Sequence, residues 1–249
     1  MTSHQSFHRR LAASLRERDW VGVLIEVLIV VVGVFLGLQA ANWNQARQDR
    51  QEESRYYGQV VADLRRDLQS LETAERRSRI HDRAAENVLA TLEGEIPNDL
   101  SPAQLAKDVR RAGFIYLPAP SRRTYDELIS TGNLGLLGNG TAKDAIAAYY
   151  EAFADSRQWD GLLRQQQADY WSTTAGIVPR KVLQSAFSSA DVQLSPAETQ
   201  QILSRMRSTP RLESMLIGMA AHQARVRRDS IGLKQQAKAL IAKLEPLAR

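Results

Sequence analysis

The chain has 249 residues and a mass of 27.9 kDa, with 43% apolar and 24% charged residues and a formal charge of +5. That balance excludes a wholly disordered chain, and the length suits one large domain or two small ones. Cysteine is absent, which excludes a disulfide scaffold, a thiolate metal site, an iron–sulfur cluster, a cysteine nucleophile and a lipoprotein anchor.

The chain opens on a basic leader, residues 1–19, with Arg9, Arg10, Arg16 and Arg18. Val21 to Ala41 is then one apolar run, broken only by Glu26 and Gln39. At about 1.5 Å per residue, a helix of that length spans roughly 31 Å, one hydrocarbon core. Trp20 and Trp43 bracket it, where amphipathic indoles meet the two headgroup levels. Residues 20–43 therefore predict a transmembrane helix. A buried core helix and a cleaved signal peptide are the alternatives. Against cleavage, the run exceeds a usual signal core, Glu26 interrupts it, and Leu38-Gln39-Ala40 and Gln39-Ala40-Ala41 are poor cleavage tripeptides. The short leader and long remainder favour the N-terminus inside and residues 44–249 outside the cytoplasm. In a bacterium that is a periplasmic domain on the inner membrane. The positive-inside bias is slight, because Arg47, Arg50 and Arg55 follow the span.

One side of the span carries Gly22, Glu26, Gly33 and Gly37 at helical spacing. Gly33 to Gly37 is a G-x-x-x-G, which lets two helix backbones approach closely. Glu26 has two readings: hydrogen bonding across a self-association face, or snorkelling to the near headgroups.

The remainder reads as helix throughout, so the predicted fold is all-α: one span continuing into a helical bundle. No turn signal intervenes between Trp43 and Gly94, and Tyr57, Val60, Val61, Leu64, Leu68, Leu71, Ala74, Ala85, Val88, Leu89 and Leu92 recur at three-four spacing. Ser101-Pro102 starts a short helix that closes before Gly113. Phe114 to Leu117 reads as extended. Ser121 is the expected cap of a helix that stops at Gly132. Asn133 to Gly140 is a glycine- and leucine-rich corner, and Thr141 is the expected cap of a long helix reaching Gly176. Ser195-Pro196-Ala197-Glu198 starts another helix, and Thr209-Pro210 opens the last, to about Leu244. The first and last long helices are expected to pack together.

Two blocks carry a resemblance. The first is Glu26 to Gly33 through Asn42-Trp43-Asn44. The second is Thr124-Tyr125-Asp126-Glu127-Leu128, then Ser130-Thr131-Gly132-Asn133-Leu134-Gly135-Leu136-Leu137, then Tyr149-Tyr150. Together they cover about a fifth of the chain and resemble a bacterial family of single-span membrane proteins of unknown function. The resemblance implies a topology and no activity.

No motif for catalysis stands out. His4, His8, His81 and His222 form no H-E-x-x-H, and His81 beside Asp82 reads as a solvated helix position. Gly135 to Gly140 lacks the lysine of a phosphate loop and reads as a structural corner, with Gly132 as its left-handed residue and Thr141 at its far end. Arg65-Arg66, Arg76-Arg77, Arg110-Arg111, Arg122-Arg123 and Arg225, Arg227 and Arg228 are interleaved with acids, which suits solvated helix faces rather than nucleic acid. The favoured function is a non-enzymatic envelope interaction or accessory protein, with no cofactor or metal. Its partners are the lipid bilayer and either a second copy or another membrane protein. The runner-up is a sensory ectodomain signalling through the Gly33/Gly37 face. A third reading is an enzyme using Tyr125, Asp126 and Glu127.

Overall fold

The computed structural model describes residues 20–95, 97–186 and 192–249, without the side chains of residues 21–23. The leader arginines and the surroundings of Gly22 lie outside the described residues. The elements are α1 (Trp20–Glu93), α2 (Pro102–Arg111), α3 (Arg123–Ser130), a 3-10 turn (Asn133–Leu136), α4 (Gly140–Ser156), α5 (Asp160–Thr174), α6 (Arg180–Ser185), α7 (Pro196–Ser208) and α8 (Leu212–Leu244). The fold is all-α, with no strand among the described residues.

The chain forms two units, Met1–Glu53 and Ser54–Arg249, whose boundary falls inside α1. In the first, every described large apolar side chain from Trp20 to Trp43 is exposed, by 45% at the least. Mean hydropathy over the apolar window is 2.4, and none of that window is buried. This is the one helix among the described residues long and apolar enough to cross a membrane.

The second unit is built on the rest of α1 and on α8. They run antiparallel: Asp82 pairs with Arg227 at 2.8 Å, Glu75 with Lys234 at 2.5 Å and Arg65 with Glu245 at 2.8 Å. The order reverses along the two helices, as the expected packing of first on last requires. Around this pair sit two apolar clusters. One joins Tyr56 to Leu71 with Leu128 of α3, Tyr149, Tyr150 and Phe153 of α4, and Leu233 to Leu244 of α8. The other joins Ala74 to Val88 with Val109 of α2, Tyr170 of α5, Val182 of α6, Met206 of α7 and Leu212 to Val226 of α8. Each fully buried large side chain contributes about 1.5–3 kcal/mol of transfer free energy. At Gly113, a Cβ would lie 2.1 Å from Tyr170 Cδ1, so α5 packs directly on that backbone.

Several local expectations need correction. Ser101 and Ser195 do cap α2 and α7, accepting from Gln104 N–H at 3.1 Å and Glu198 N–H at 3.2 Å, and Ser195 completes a capping box with Glu198. Thr141 does not cap α4. Asn139 does, through Oδ1 on Ala142 N–H at 3.0 Å, so the helix starts earlier. Ser121 does not cap α3, which has no side-chain cap of its own. Thr209 ends α7, its hydroxyl bonded back to Arg205 O at 2.7 Å, and α8 starts after Arg211. The long helix expected from Thr141 to Gly176 breaks at Arg157–Trp159. There Ser156 Oγ donates to Phe153 O at 2.7 Å, and the Arg157 side chain pairs with Asp160 at 2.9 Å.

Candidate functional site

Polar chemistry collects in three places within the second unit. The first is the corner where α1 meets residues 121–124. Asp63 and Asp67 lie four residues apart on α1, on one face, and both are buried. Asp63 Oδ2 accepts from Thr124 N–H at 3.1 Å, and its other oxygen pairs with Arg66. Asp67 Oδ1 accepts from Ser121 N–H at 2.6 Å, and Oδ2 from Tyr149 O–H at 3.0 Å. Two carboxylates borrowed from α1 thus satisfy the amides at the entry of α3, which favour negative charge.

The tyrosines close over this corner. Tyr150 O–H donates to Ser121 O at 3.1 Å, and its ring stacks on Tyr125 at 4.5 Å. Tyr56 O–H donates to Glu127 Oε1 at 3.4 Å and accepts from Asn133 Nδ2 at 2.9 Å. Burial pushes the phenols of Tyr149 and Tyr150 up, with Asp67 adding to both. Burial also raises the Asp67 carboxyl, more than its hydrogen bonds to Ser121 and Tyr149 lower it. The block of the suggested family resemblance therefore falls on a fixed corner. Asp126 is paired with Arg122 at 3.0 Å, Glu127 holds Tyr56, and Tyr125 stacks on Tyr150, so each of the three is engaged in a different contact.

The second place is a seam between α1 and α8. His81 is buried, which corrects the expectation of a solvated histidine. The helix phase explains it: Leu71, Ala74, Ser78, His81, Ala85 and Val88 form one buried three-four stripe. Ser78 Oγ donates to Gln223 O at 2.6 Å, and Gln223 Nε2 donates to Phe114 O at 2.7 Å. The His81 ring lies 5.0 Å from the Phe114 ring. His81 Nδ1, Gln223 Oε1 and Ser230 Oγ have no hydrogen-bond partner among the described residues. Burial lowers the His81 pKa to about 4, with Arg111 and Arg77 lowering it further against a hydrogen bond to the Arg111 backbone. Ser230 borders a cavity of about 20 Å³, the size of one water site.

The third place is a groove of about 710 Å³ between α5 and the start of α8. The helices touch through Gln166 and His222. One wall presents Gln165, Asp169, Ser172 and Thr173, the other Arg211 and Ser214, over Tyr170, Met215 and Met219. Arg211 has φ 63°, the one non-glycine residue with positive φ among the described residues.

No group of three or more acidic or histidine side chains able to hold a metal ion occurs among the described residues. In comparison with known proteins, no family model, no curated protein and no solved structure matches the chain.

Of the residues singled out in the sequence, Gly132 has φ 74° and ends α3 as expected. Leu137 is buried and Leu134 and Leu136 pack on the same cluster, so the corner is tucked inwards. Trp20, Trp43, Glu26, Gly33 and Gly37 lie on the exposed part of α1. Asp63, Asp67 and the groove were not anticipated. The signal for the aspartates was present: they fall in phase with Tyr56, Val60, Leu64 and Leu71 on the buried stripe. The groove had none, because its walls lie far apart in sequence.

Proposed function

We propose that this is a single-pass membrane-anchored protein whose Ser54–Arg249 unit is a non-enzymatic interaction or accessory module of the cell envelope. It sits in the inner membrane, N-terminus inside, with the helical unit in the periplasm. One observation carries the reading. A single helix has an apolar stretch with no buried residue, and farther along supplies the central stripe of a folded core. Such an exposed stretch, near 30 Å long, is stable only when something apolar covers it. The basic leader supports the orientation, the bracketing tryptophans support a span, and the length of the run, Glu26 and the poor cleavage tripeptides argue that it is not cleaved. The resemblance to single-span bacterial proteins points the same way.

Three experiments test it. A periplasm-active reporter fused after Arg249 is expected to be on, and a cytoplasm-active one off. The protein stays in the membrane through carbonate extraction. Release by carbonate, or a mature N-terminus near Ala41, overturns the anchor. In-cell crosslinking and mass spectrometry then separate a stoichiometric partner from a homo-oligomer.

Self-association through Gly33 and Gly37 is a second reading, favoured by one observation. A Cβ at either position would meet nothing within 4 Å, so that face is open to a close helix. It would place Glu26 of two copies near one another, where a protonated carboxyl can hydrogen-bond across the pair.

A further inference from the structure

The groove between α5 and α8 holds two charges that the protein itself does not use. Asp169 and Arg211 line it from opposite walls, and neither side chain has an ion pair or hydrogen bond among the described residues. Other charges on or beside these helices do pair, Arg157 with Asp160 and Arg225 with Asp229, while Arg207 and Glu213, which line a neighbouring cavity with Arg211, do not pair among the described residues. Arg211 is also an unexpected residue for its backbone. At φ 63° an asparagine or glycine sits with less strain, and the Arg211 side chain makes no cap for α8. The position therefore supplies a guanidinium to the groove at a conformational cost. On the Asp169 wall, about one helical turn to either side of it, lie the neutral donors and acceptors Gln165, Ser172 and Thr173. The floor is Met215 and Met219, flexible thioether side chains that adapt to varied apolar shapes.

We propose that this groove binds a short peptide by its two ends, the α-ammonium on Asp169 and the α-carboxylate on Arg211. The guanidinium matches a carboxylate with two parallel N–H donors, and the aspartate accepts from the ammonium. Gln165, Ser172 and Thr173 meet the peptide amides, and the methionines take an apolar side chain. At about 710 Å³ the groove has room for several residues of extended chain. A neutral sugar would leave both charges unanswered, and a simple anion would leave Asp169 opposed. Such a peptide would be the ligand of the interaction module, and the site rests on the non-enzymatic reading only for the fate of the peptide once bound.

The test is calorimetric titration of the full chain in a non-ionic maltoside detergent with tri-L-alanine. Its N-acetyl and C-terminal amide derivatives are the controls. Saturable binding is expected for the free tripeptide, weakened about tenfold or more by either derivative. Asp169→Asn should bind the free tripeptide about tenfold more weakly and lose its sensitivity to acetylation. Arg211→Asn, which suits the left-handed backbone, should lose its sensitivity to amidation. Both positions are exposed, so melting temperatures should be retained. Absence of saturable binding, or equal binding of free and blocked tripeptides, overturns the proposal. Mass spectrometry of the recovered tripeptide separates the two readings: cleavage to smaller products would overturn the non-enzymatic function and leave the binding site standing.

Discussion

Two buried polar regions lie on the same stripe of α1 and are finished differently. At the corner, Asp63 and Asp67 have every carboxylate oxygen engaged, by Thr124, Arg66, Ser121 and Tyr149. At the seam, about four helical turns farther on, His81, Gln223 and Ser230 each keep one polar atom without a partner. The desolvation cost is similar in kind; the compensation is not. A satisfied network fixes one geometry, here the angle at which the chain enters α3. A part-satisfied one is a liability that depends on pH. The contrast teaches where this fold is rigid and where it is conditional.

The largest effect should come from the finished side. Asp67→Ala strips the acceptor from a buried amide and a buried phenol at once. With each orphaned group costing about 1–3 kcal/mol, a loss on the order of 4 kcal/mol is expected. Thermal melts of the full chain in detergent, followed by circular dichroism, measure it. Ser78→Ala at the seam removes one neutral hydrogen bond and should cost about 1 kcal/mol. If the two variants melt together, the corner is no better finished than the seam.

The seam is sharpened by pH. His81 is held neutral in the fold, with its pKa lowered to about 4 from an ordinary value near 6.5. The unfolded chain takes up its proton first as pH falls. Stability is therefore unaffected above about pH 6.5 and lost progressively towards pH 4, by about 3 kcal/mol in all. His81→Leu should remove that loss. A second acid-labile contact is separable by its window. Glu198 is held down to about 2 by Lys181 and the Ser195 amide. Its contribution is present above the ordinary glutamate range near 4.5 and lost only below it. Denaturant midpoints from pH 8 to pH 3 for the parent and His81→Leu distinguish them. If the parent shows no loss between pH 6.5 and 4, His81 is not desolvated.

These regions also show what the sequence could and could not say. The long exposed apolar helix, the all-α class and the pairing of α1 with α8 were legible because each rests on long apolar runs. Gly132 was legible because a helix stop followed by a corner calls for a left-handed residue. The capping assignments at Ser121, Thr141 and Thr209 failed for different reasons: Asn139 caps α4 two residues before Thr141, and Thr209 ends α7 instead of opening α8. Local capping rules choose among neighbouring hydroxyls, while the amides of α3 were met by Asp63 and Asp67 from a helix more than fifty residues upstream. His81 was misread because a polar residue was judged by its chemistry rather than by its helical phase. The groove requires two faces brought together by folding, and no local pattern records that.

Gly132→Val probes the far end of the corner. A Cβ there would meet nothing within 4 Å, so packing does not forbid it. The cost is that of holding a β-branched residue at φ 74°, about 1–2 kcal/mol. Gly132→Asn, which tolerates that backbone, should recover most of the loss. If Val and Asn variants melt alike, the corner is less rigid than its hydrogen bonds suggest.

The smallest effect decides which residue starts α4. Asn139 Oδ1 accepts from Ala142 N–H, and Thr141 is exposed with its side chain free of that role. Asn139→Ala should therefore cost about 1 kcal/mol, and Thr141→Ala only a few tenths, the usual range for a surface helix position. The Thr141 backbone is a separate matter. Its carbonyl accepts from Lys243 Nζ at 3.1 Å, a tie from α4 to the end of α8 that no side-chain truncation at Thr141 removes. Lys243→Met, which keeps the apolar stem, isolates that exposed tie and should shift the melt by less than Asn139→Ala does. If Thr141→Ala is the costlier of the two cap variants, the helix begins two residues later than Asn139 implies. The polar finishing of the corner would then stop at Asn133 instead of running on into α4.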